Sequence, residues 1–146
     1  MRAKFVYEAM GDILKGKSEE DILSSLESGN LNPNELLLQS SEAGFLPGMK
    51  KALEMGADVH VNNDGALQLA SGDGYYNVVE LLLKNGADVH AQNDYALRWA
   101  SVRGHLDIVE FLLKNGADVH VLDDEALRLA SKNDHLNVVE LLKKYM

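Results

Sequence analysis

The strongest constraint on this chain is a pentapeptide that recurs at a fixed interval. Gly-Ala-Asp-Val-His begins at Gly56, again at Gly86 and again at Gly116, thirty residues apart each time. Self-similarity at a fixed period of this length is typical of stacked repeats, in which each unit buries its apolar face only against its neighbours. The sequence therefore predicts an array of repeats rather than a globular domain with one central core.

Each repeat encodes two helices. In the second unit, Asp94 precedes residues 95–101 and is placed to cap the free amides of a first helix. Gly104 then predicts a tight reversal, after which apolar residues recur at helical spacing. Asn115 and Gly116 predict that the second helix ends in a left-handed conformation. One unit is thus predicted to be a helix, a turn, a second helix and a loop.

These features resemble the ankyrin repeat. The shared elements are Gly-Ala-Asp-Val, the segment Ala-Leu-x-x-Ala-Ser in the first helix, Gly104-His105-Leu106 at the turn, and Val-Glu-x-Leu-Leu in the second helix. The repeat is shorter than the family's period of about 33 residues, and the Thr-Pro-Leu-His signature is replaced. We therefore expect the family's β-hairpin fingers to be shortened to tight loops. The thirty-residue form is also similar to ankyrin arrays of giant viruses of amoebae.

The resemblance implies an all-α solenoid of about five helix pairs forming a single domain over residues 1–146. Residues 1–30 are expected to form a degenerate capping helix pair and residues 31–55 a divergent repeat. Clear repeats follow at 56–85, 86–115 and 116–146, the last of which serves as a C-terminal cap. The inner helices are expected to begin near Asn34, Asp64, Asp94 and Asp124.

Composition excludes several classes of function. The chain contains no cysteine, which removes disulfides, thiolate catalysis and zinc–thiolate sites. A formal net charge of −9 argues against general attraction to nucleic acid or to an anionic membrane. No apolar run approaches the length of a membrane span, and the N-terminus lacks the apolar core of a signal peptide. We expect a monomeric intracellular protein of the cytoplasm, in a host cell if the chain is viral.

The recurring histidines raise the alternative of a metal site. His60, His90 and His120 occur once per repeat, but stacked helices lie about 8–10 Å apart. A zinc ion requires ligand nitrogens at about 2 Å, so equivalent histidines are poorly placed to share one ion. We expect these side chains to form hydrogen bonds in the loops instead. His105 and His135 are expected to form hydrogen bonds at the turns.

No catalytic constellation emerges from the sequence. His90, Asp94 and Ser101 could be drawn as a triad, but the same residue types recur in every repeat, as a structural element would. Gly72 and Gly74 flank a turn between two helices and do not follow a strand, as a phosphate-binding loop would require. The prediction is a protein that is not an enzyme, with no catalytic residue, no metal and no cofactor.

Positions at which the repeats differ carry the functional information, because stacking fixes the others. In ankyrin proteins the matching inner-helix positions line a concave surface that binds partner proteins. Tyr, Trp and Arg, the types that most often dominate binding energy, occur together in the central unit. The candidate partner-binding residues are Gln68, Asp73, Tyr95, Arg98, Trp99, Val102, Arg103, Glu125, Arg128 and Lys132.

Structural explanations for some of these residues stay open at this point. Trp99 is also suited to filling a gap between repeats, and Arg98 and Arg128 lie four residues after Asp94 and Asp124, a spacing that allows pairs within a helix. The leading hypothesis is a protein–protein interaction module whose partner offers apolar and acidic groups, with a viral host-interaction protein as the origin that the resemblance suggests. The alternatives are a structural, self-assembling repeat protein and, more remotely, histidine-based metal binding.

Overall fold

The computed structural model describes residues 32–146, which form eight α-helices in four pairs, each pair joined by a tight turn. The pairs are α1 (Pro33–Ala43) with α2 (Leu46–Glu54), α3 (Val61–Asp73) with α4 (Tyr76–Lys84), α5 (Ala91–Arg103) with α6 (Leu106–Lys114), and α7 (Val121–Lys132) with α8 (Leu136–Lys144). Residues 32–146 contain no strand. The predicted all-α solenoid is confirmed, whereas the expected capping helices of residues 1–30 lie outside the described residues.

The helices stack in two rows. The first helices of the pairs, α1, α3, α5 and α7, pack against one another in order and form the inner row, while α2, α4, α6 and α8 form the outer row. The core lies between the rows and between successive repeats. Leu97 and Ala100 are both fully buried, as their helical spacing predicts. Val109 and Leu112 supply the matching apolar face of α6.

The first residues of α3, α5 and α7, which continue the loops between repeats, adopt an unusual backbone before regular helical geometry begins. Asn62, Asn63 and Asp64 lie consecutively in the left-handed region, with φ of 54°, 55° and 60°. The equivalent residues at 92–94 and 122–124 do the same. Asn and Asp tolerate this conformation better than other side chains do, which explains why they occupy seven of these nine positions. The expected replacement of the β-hairpin fingers by tight loops is confirmed.

Asp94 plays a different role from the one that its position predicts. Its Oδ1 lies 3.1 Å from Nδ1 of His90, and its Oδ2 accepts a hydrogen bond of 2.6 Å from the backbone N–H of Asp118 in the next repeat. It makes no bond to the amides of its own helix, so the predicted cap is wrong. Asn34 and Asp64 likewise accept from the backbone N–H groups 24 residues further along the chain.

These bonds join into a continuous chain of hydrogen bonds, which we call the loop ladder. Within each loop an aspartate accepts from a histidine backbone N–H, as Asp88 does from His90 at 2.9 Å. The histidine ring then contacts the next aspartate. The members of the loop ladder are Asn34, Asp58, His60, Asp64, Asp88, His90, Asp94, Asp118, His120 and Asp124. The predicted loop hydrogen bonds of the three repeated histidines are confirmed.

The histidines at the turns also link successive repeats. Nε2 of His105 lies 2.9 Å from the carbonyl oxygen of Gly72, and Nε2 of His135 lies 3.0 Å from that of Val102. The ring of His105 packs so closely on Gly74 that a Cβ there would lie 2.7 Å from it. Gly74 also has a φ of 85°, so both the conformation and the close approach require glycine.

Candidate interaction surface on the inner face

All ten predicted binding residues lie on three helices of the inner row. Gln68 and Asp73 belong to α3, five of the predicted residues lie between positions 95 and 103 on α5, and the other three lie on α7. None of the ten is buried. Residues on the opposite side of the same helices, such as Leu97 and Ala100, are fully buried. The exposed side of the inner row is called the inner face below, and the structure brings the predicted residues together on it.

An aromatic and cationic row runs along α5. The rings of Tyr95 and Trp99 meet edge to face, with centroids 5.3 Å apart. The guanidinium carbon of Arg103 lies 5.6 Å from the centroid of the Trp99 ring. Each residue follows the previous one by four positions, which places the three side chains in contact along one side of the helix. We call these three residues the α5 row.

Trp99 also packs against the preceding repeat. A Cβ atom on Gly72 would lie only 2.7 Å from the Trp99 ring, so the indole rests on the backbone of α3. The gap-filling role considered for Trp99 is therefore observed. The indole nevertheless remains only half-buried. One side chain thus serves packing between repeats and offers surface to solvent.

Arg98 is committed to bonds inside the protein. Its Nη1 lies 2.6 Å from Oε2 of Glu125 in the next repeat. Its Nε and Nη2 donate to the carbonyl oxygens of Asn93 and Gln92, each at 2.9 Å. Only 15% of the side chain is exposed. A pair between Arg98 and Asp94 does not form, because these loop carbonyls and Glu125 take up the guanidinium donors.

The equivalent residues in the other repeats close their own loops in the same way. Arg128 donates from Nε and Nη2 to the carbonyl oxygens of Asp123 and Leu122, each at 3.0 Å, and not to Asp124. Gln68 donates from Nε2 to the carbonyl oxygen of Asn63 at 2.8 Å. The inner-helix side chain thus satisfies carbonyl groups that the left-handed turn leaves open. A long hydrogen-bond donor at this position in every repeat was the sequence signal for that role.

A cleft opens on the inner face between α5 and α7. Tyr95, Arg98, Trp99 and Val102 line it from one side and Leu129 from the other, and its volume is about 230 Å³. Sequence reasoning included the first four of these residues but did not include Leu129. The sequence signal for Leu129 was its position, which is equivalent to Trp99 and to Leu69 in the other repeats and therefore varies between repeats.

The outer row carries grooves of its own. Tyr76, Asp107, Glu110, Phe111 and Lys114 line a groove of about 300 Å³ between α4 and α6. The rings of Tyr76 and Phe111 are 5.2 Å apart. The Glu110 carboxylate, 3.1 Å from the Lys114 ammonium, raises the pKa of that lysine by accepting its hydrogen bond. Neither the groove nor its aromatic pair was predicted from the sequence.

The residues considered for catalysis do not form a triad. His90 and Asp94 are in contact, but the Ser101 hydroxyl is buried and has no hydrogen-bond partner among the described residues. Within residues 32–146, no three His, Cys, Asp or Glu side chains form a group that could hold a metal ion. In the same part of the chain, every helix is too short or too polar to cross a membrane.

The fold and its loops define a helical solenoid built from short repeats. The family profile described as Ankyrin repeats (3 copies) matches residues 36–123 and 92–146, which together make up more than half of the chain. The chain belongs to the ankyrin-repeat family. Ankyrin repeats are in general protein–protein interaction modules and are typically not enzymes. No individual curated protein shows a significant match to the chain.

Proposed function

We propose that this protein binds a partner protein through the inner face, with the α5 row at the centre of the contact. The observation that carries the proposal is the fixed geometry of Tyr95, Trp99 and Arg103. Their side chains remain accessible although they are held by contacts with one another and, for Trp99, with Gly72. Aromatic and arginine side chains of this kind most often dominate interface energy.

The surrounding contacts reduce the entropy that binding would otherwise cost. A side chain immobilised at an interface loses about 0.5–1.5 kcal/mol of rotamer freedom, and the α5 row has lost part of it already. Arg98 and Glu125 support this surface by linking α5 to α7. In this proposal they position the contact residues, and Arg103 takes the direct polar contact.

The remaining predicted residues form the border of the contact. Gln68 and Asp73 lie on the side of α3, and Arg128 and Lys132 lie on the side of α7.

The net charge of −9 favours a protein partner over nucleic acid or an anionic membrane. We further propose that the protein acts as a monomer in the cytoplasm, and in a host cell if the resemblance to viral arrays reflects its origin.

Partner capture in the native cell tests this proposal. The triple variant Tyr95→Ala, Trp99→Ala and Arg103→Ala should lose the captured protein while its helical circular dichroism is retained. The matched control replaces Glu80, Glu110 and Glu140 with alanine on the outer row and should retain capture, since exposed charges contribute little. Loss of capture in the control but not in the inner-face variant would place the binding surface on the outer row.

A further inference from the structure

The inner face has two equivalent intervals, the space between α3 and α5 and the space between α5 and α7, and different side chains occupy them. Between α3 and α5, the Trp99 ring rests on Gly72. Between α5 and α7, the equivalent positions are occupied by Leu129 and Val102, and these two side chains line the cleft of about 230 Å³. Leucine is smaller than tryptophan, and valine blocks the close approach that glycine allows. The protein therefore fills the first interval itself and leaves the second open.

The size and the lining of the cleft suit one apolar side chain. An apolar cavity of about 150 Å³ is large enough to take up benzene, so this cleft has room for an aromatic or long aliphatic group. Trp99, Val102 and Leu129 provide apolar surface, and Tyr95 adds an aromatic ring. Arg98 lines the cleft, but its donors already serve Glu125 and the loop carbonyls.

The charge beside the cleft is positive although the whole chain is acidic. Arg103 follows Val102 on α5, and Lys132 occupies the position on α7 that is equivalent to Val102. Both side chains are exposed, and neither forms an ion pair with a residue in 32–146. Exposed cations beside an apolar cleft complement carboxylates that flank an apolar anchor.

We propose that this cleft takes one large apolar side chain from a partner protein segment in which acidic residues flank that side chain. The inference rests on the proposed function, since it specifies the chemistry of a partner bound at the inner face. The apolar group would pack against Val102 and Leu129 as the Trp99 ring packs against Gly72. The flanking carboxylates would pair with Arg103 and Lys132.

A defined peptide tests the proposal directly. The probe is acetyl-Glu-Asp-Phe-Asp-Glu-amide, titrated into the full chain and followed by NMR. Trp99 is the only tryptophan in the sequence, so its indole N–H reports on the cleft without ambiguity. We expect shifts concentrated at that N–H and at the methyl groups of Val102 and Leu129. A peptide with alanine in place of phenylalanine, and one with lysine in place of every acidic residue, should each bind at least tenfold more weakly.

A variant that fills the cleft supplies the complementary test. Val102→Gly with Leu129→Trp copies the Gly72–Trp99 pair into the open interval and should weaken peptide binding tenfold or more. The matched control, Leu106→Tyr with Leu141→Phe, copies the Tyr76–Phe111 pair into the next groove of the outer row. It adds similar aromatic bulk away from the cleft and should leave peptide affinity unchanged. If the filled variant does not fold, Arg103→Glu with Lys132→Glu, which changes exposed side chains, should also weaken binding at least tenfold.

Several results would overturn the proposal. They are the absence of binding at millimolar peptide, shifts located on the outer row, equal binding of the lysine peptide, and full binding by the folded cleft-filled variant. Partner capture separates this inference from the proposed function. If the inner-face triple variant loses the captured partner while the cleft-filled variant retains it, the inner face is the binding surface and the cleft is not. If both variants retain the partner, both proposals fail.

Discussion

Replacing Asp94 with alanine should show how strongly the loop ladder holds neighbouring repeats together. The Asp94 carboxylate is 5% exposed and accepts the backbone N–H of Asp118 at 2.6 Å while it contacts His90. Hydrogen bonds to charged groups contribute about 1.5–3 kcal/mol, and the Asp118 N–H would lose its partner. Alanine in the left-handed region, where Asp94 has a φ of 51°, adds a conformational cost of about 1–2 kcal/mol.

Asp124 provides the matched control for that substitution. It occupies the same position with a φ of 58° and contacts His120 at 2.7 Å, but it accepts no backbone N–H from another loop among the described residues. Its side chain is 35% exposed. The conformational cost is shared by Asp94→Ala and Asp124→Ala, so the difference between them isolates the inter-repeat bond. We expect Asp94→Ala to lower the free energy of unfolding by about 1.5–3 kcal/mol more than Asp124→Ala does.

Urea unfolding with a constant m-value measures the two losses of stability. Hydrogen exchange at the Asp118 amide adds a local readout, since its protection should fall in Asp94→Ala and stay unchanged in Asp124→Ala. Asp94→Asn should cost much less, because Asn34 already accepts the N–H of Asp58 at 2.7 Å in the equivalent bond. Equal losses in Asp94→Ala and Asp124→Ala, with an unchanged Asp118 amide, would refute the role given to the loop ladder.

Two further substitutions test the assignment of faces and of the loop conformation. Leu97→Ala should lower the free energy of unfolding by about 2–5 kcal/mol, because Leu97 is fully buried. Glu110→Ala should change it by less than about 0.5 kcal/mol, because Glu110 is exposed. Similar effects of the two substitutions in urea unfolding would mean that the faces are assigned wrongly. Leu122→Asn should raise the melting temperature, with a gain of up to about 1 kcal/mol, since Leu122 has a φ of 51° and is 46% exposed where Asn62 occupies the first repeat. A lower melting temperature for Leu122→Asn would contradict the left-handed turn.

Helical spacing and turn residues were sufficient to predict the helix pairs, because both act within a few positions of one another. The tight loops were predicted from the resemblance to the ankyrin repeat, whose period is longer than the one found here. The roles of Asp94 and Arg98 could not be predicted in this way, because their partners are either distant in sequence or are backbone carbonyl groups. Asp94 binds an N–H 24 residues away, and Arg98 binds carbonyl groups exposed by a left-handed turn that helical periodicity does not indicate.

The candidate site, like the fold, could be predicted from the sequence only in part. Variation between repeats, together with the resemblance to ankyrin repeats, was enough to place the residues of the α5 row on the unburied side of the inner helices, because stacking constrains the positions that do not vary. The cleft beside it could not be predicted in this way. It arises from the combined sizes of Val102 and Leu129 in one interval and of Gly72 and Trp99 in the other, and only packing shows which interval is left open.

Hydroxyl-radical footprinting of the protein with and without its captured partner tests the central claim most directly. Aromatic side chains report their own accessibility, and the chain carries an aromatic pair on each face. Tyr95 and Trp99 lie on the inner face, and Tyr76 and Phe111 lie on the outer row. Binding at the inner face predicts that oxidation of Tyr95 and Trp99 falls in the complex while oxidation of Tyr76 and Phe111 stays unchanged. Protection of Tyr76 and Phe111 with unchanged oxidation of Tyr95 and Trp99 would contradict it.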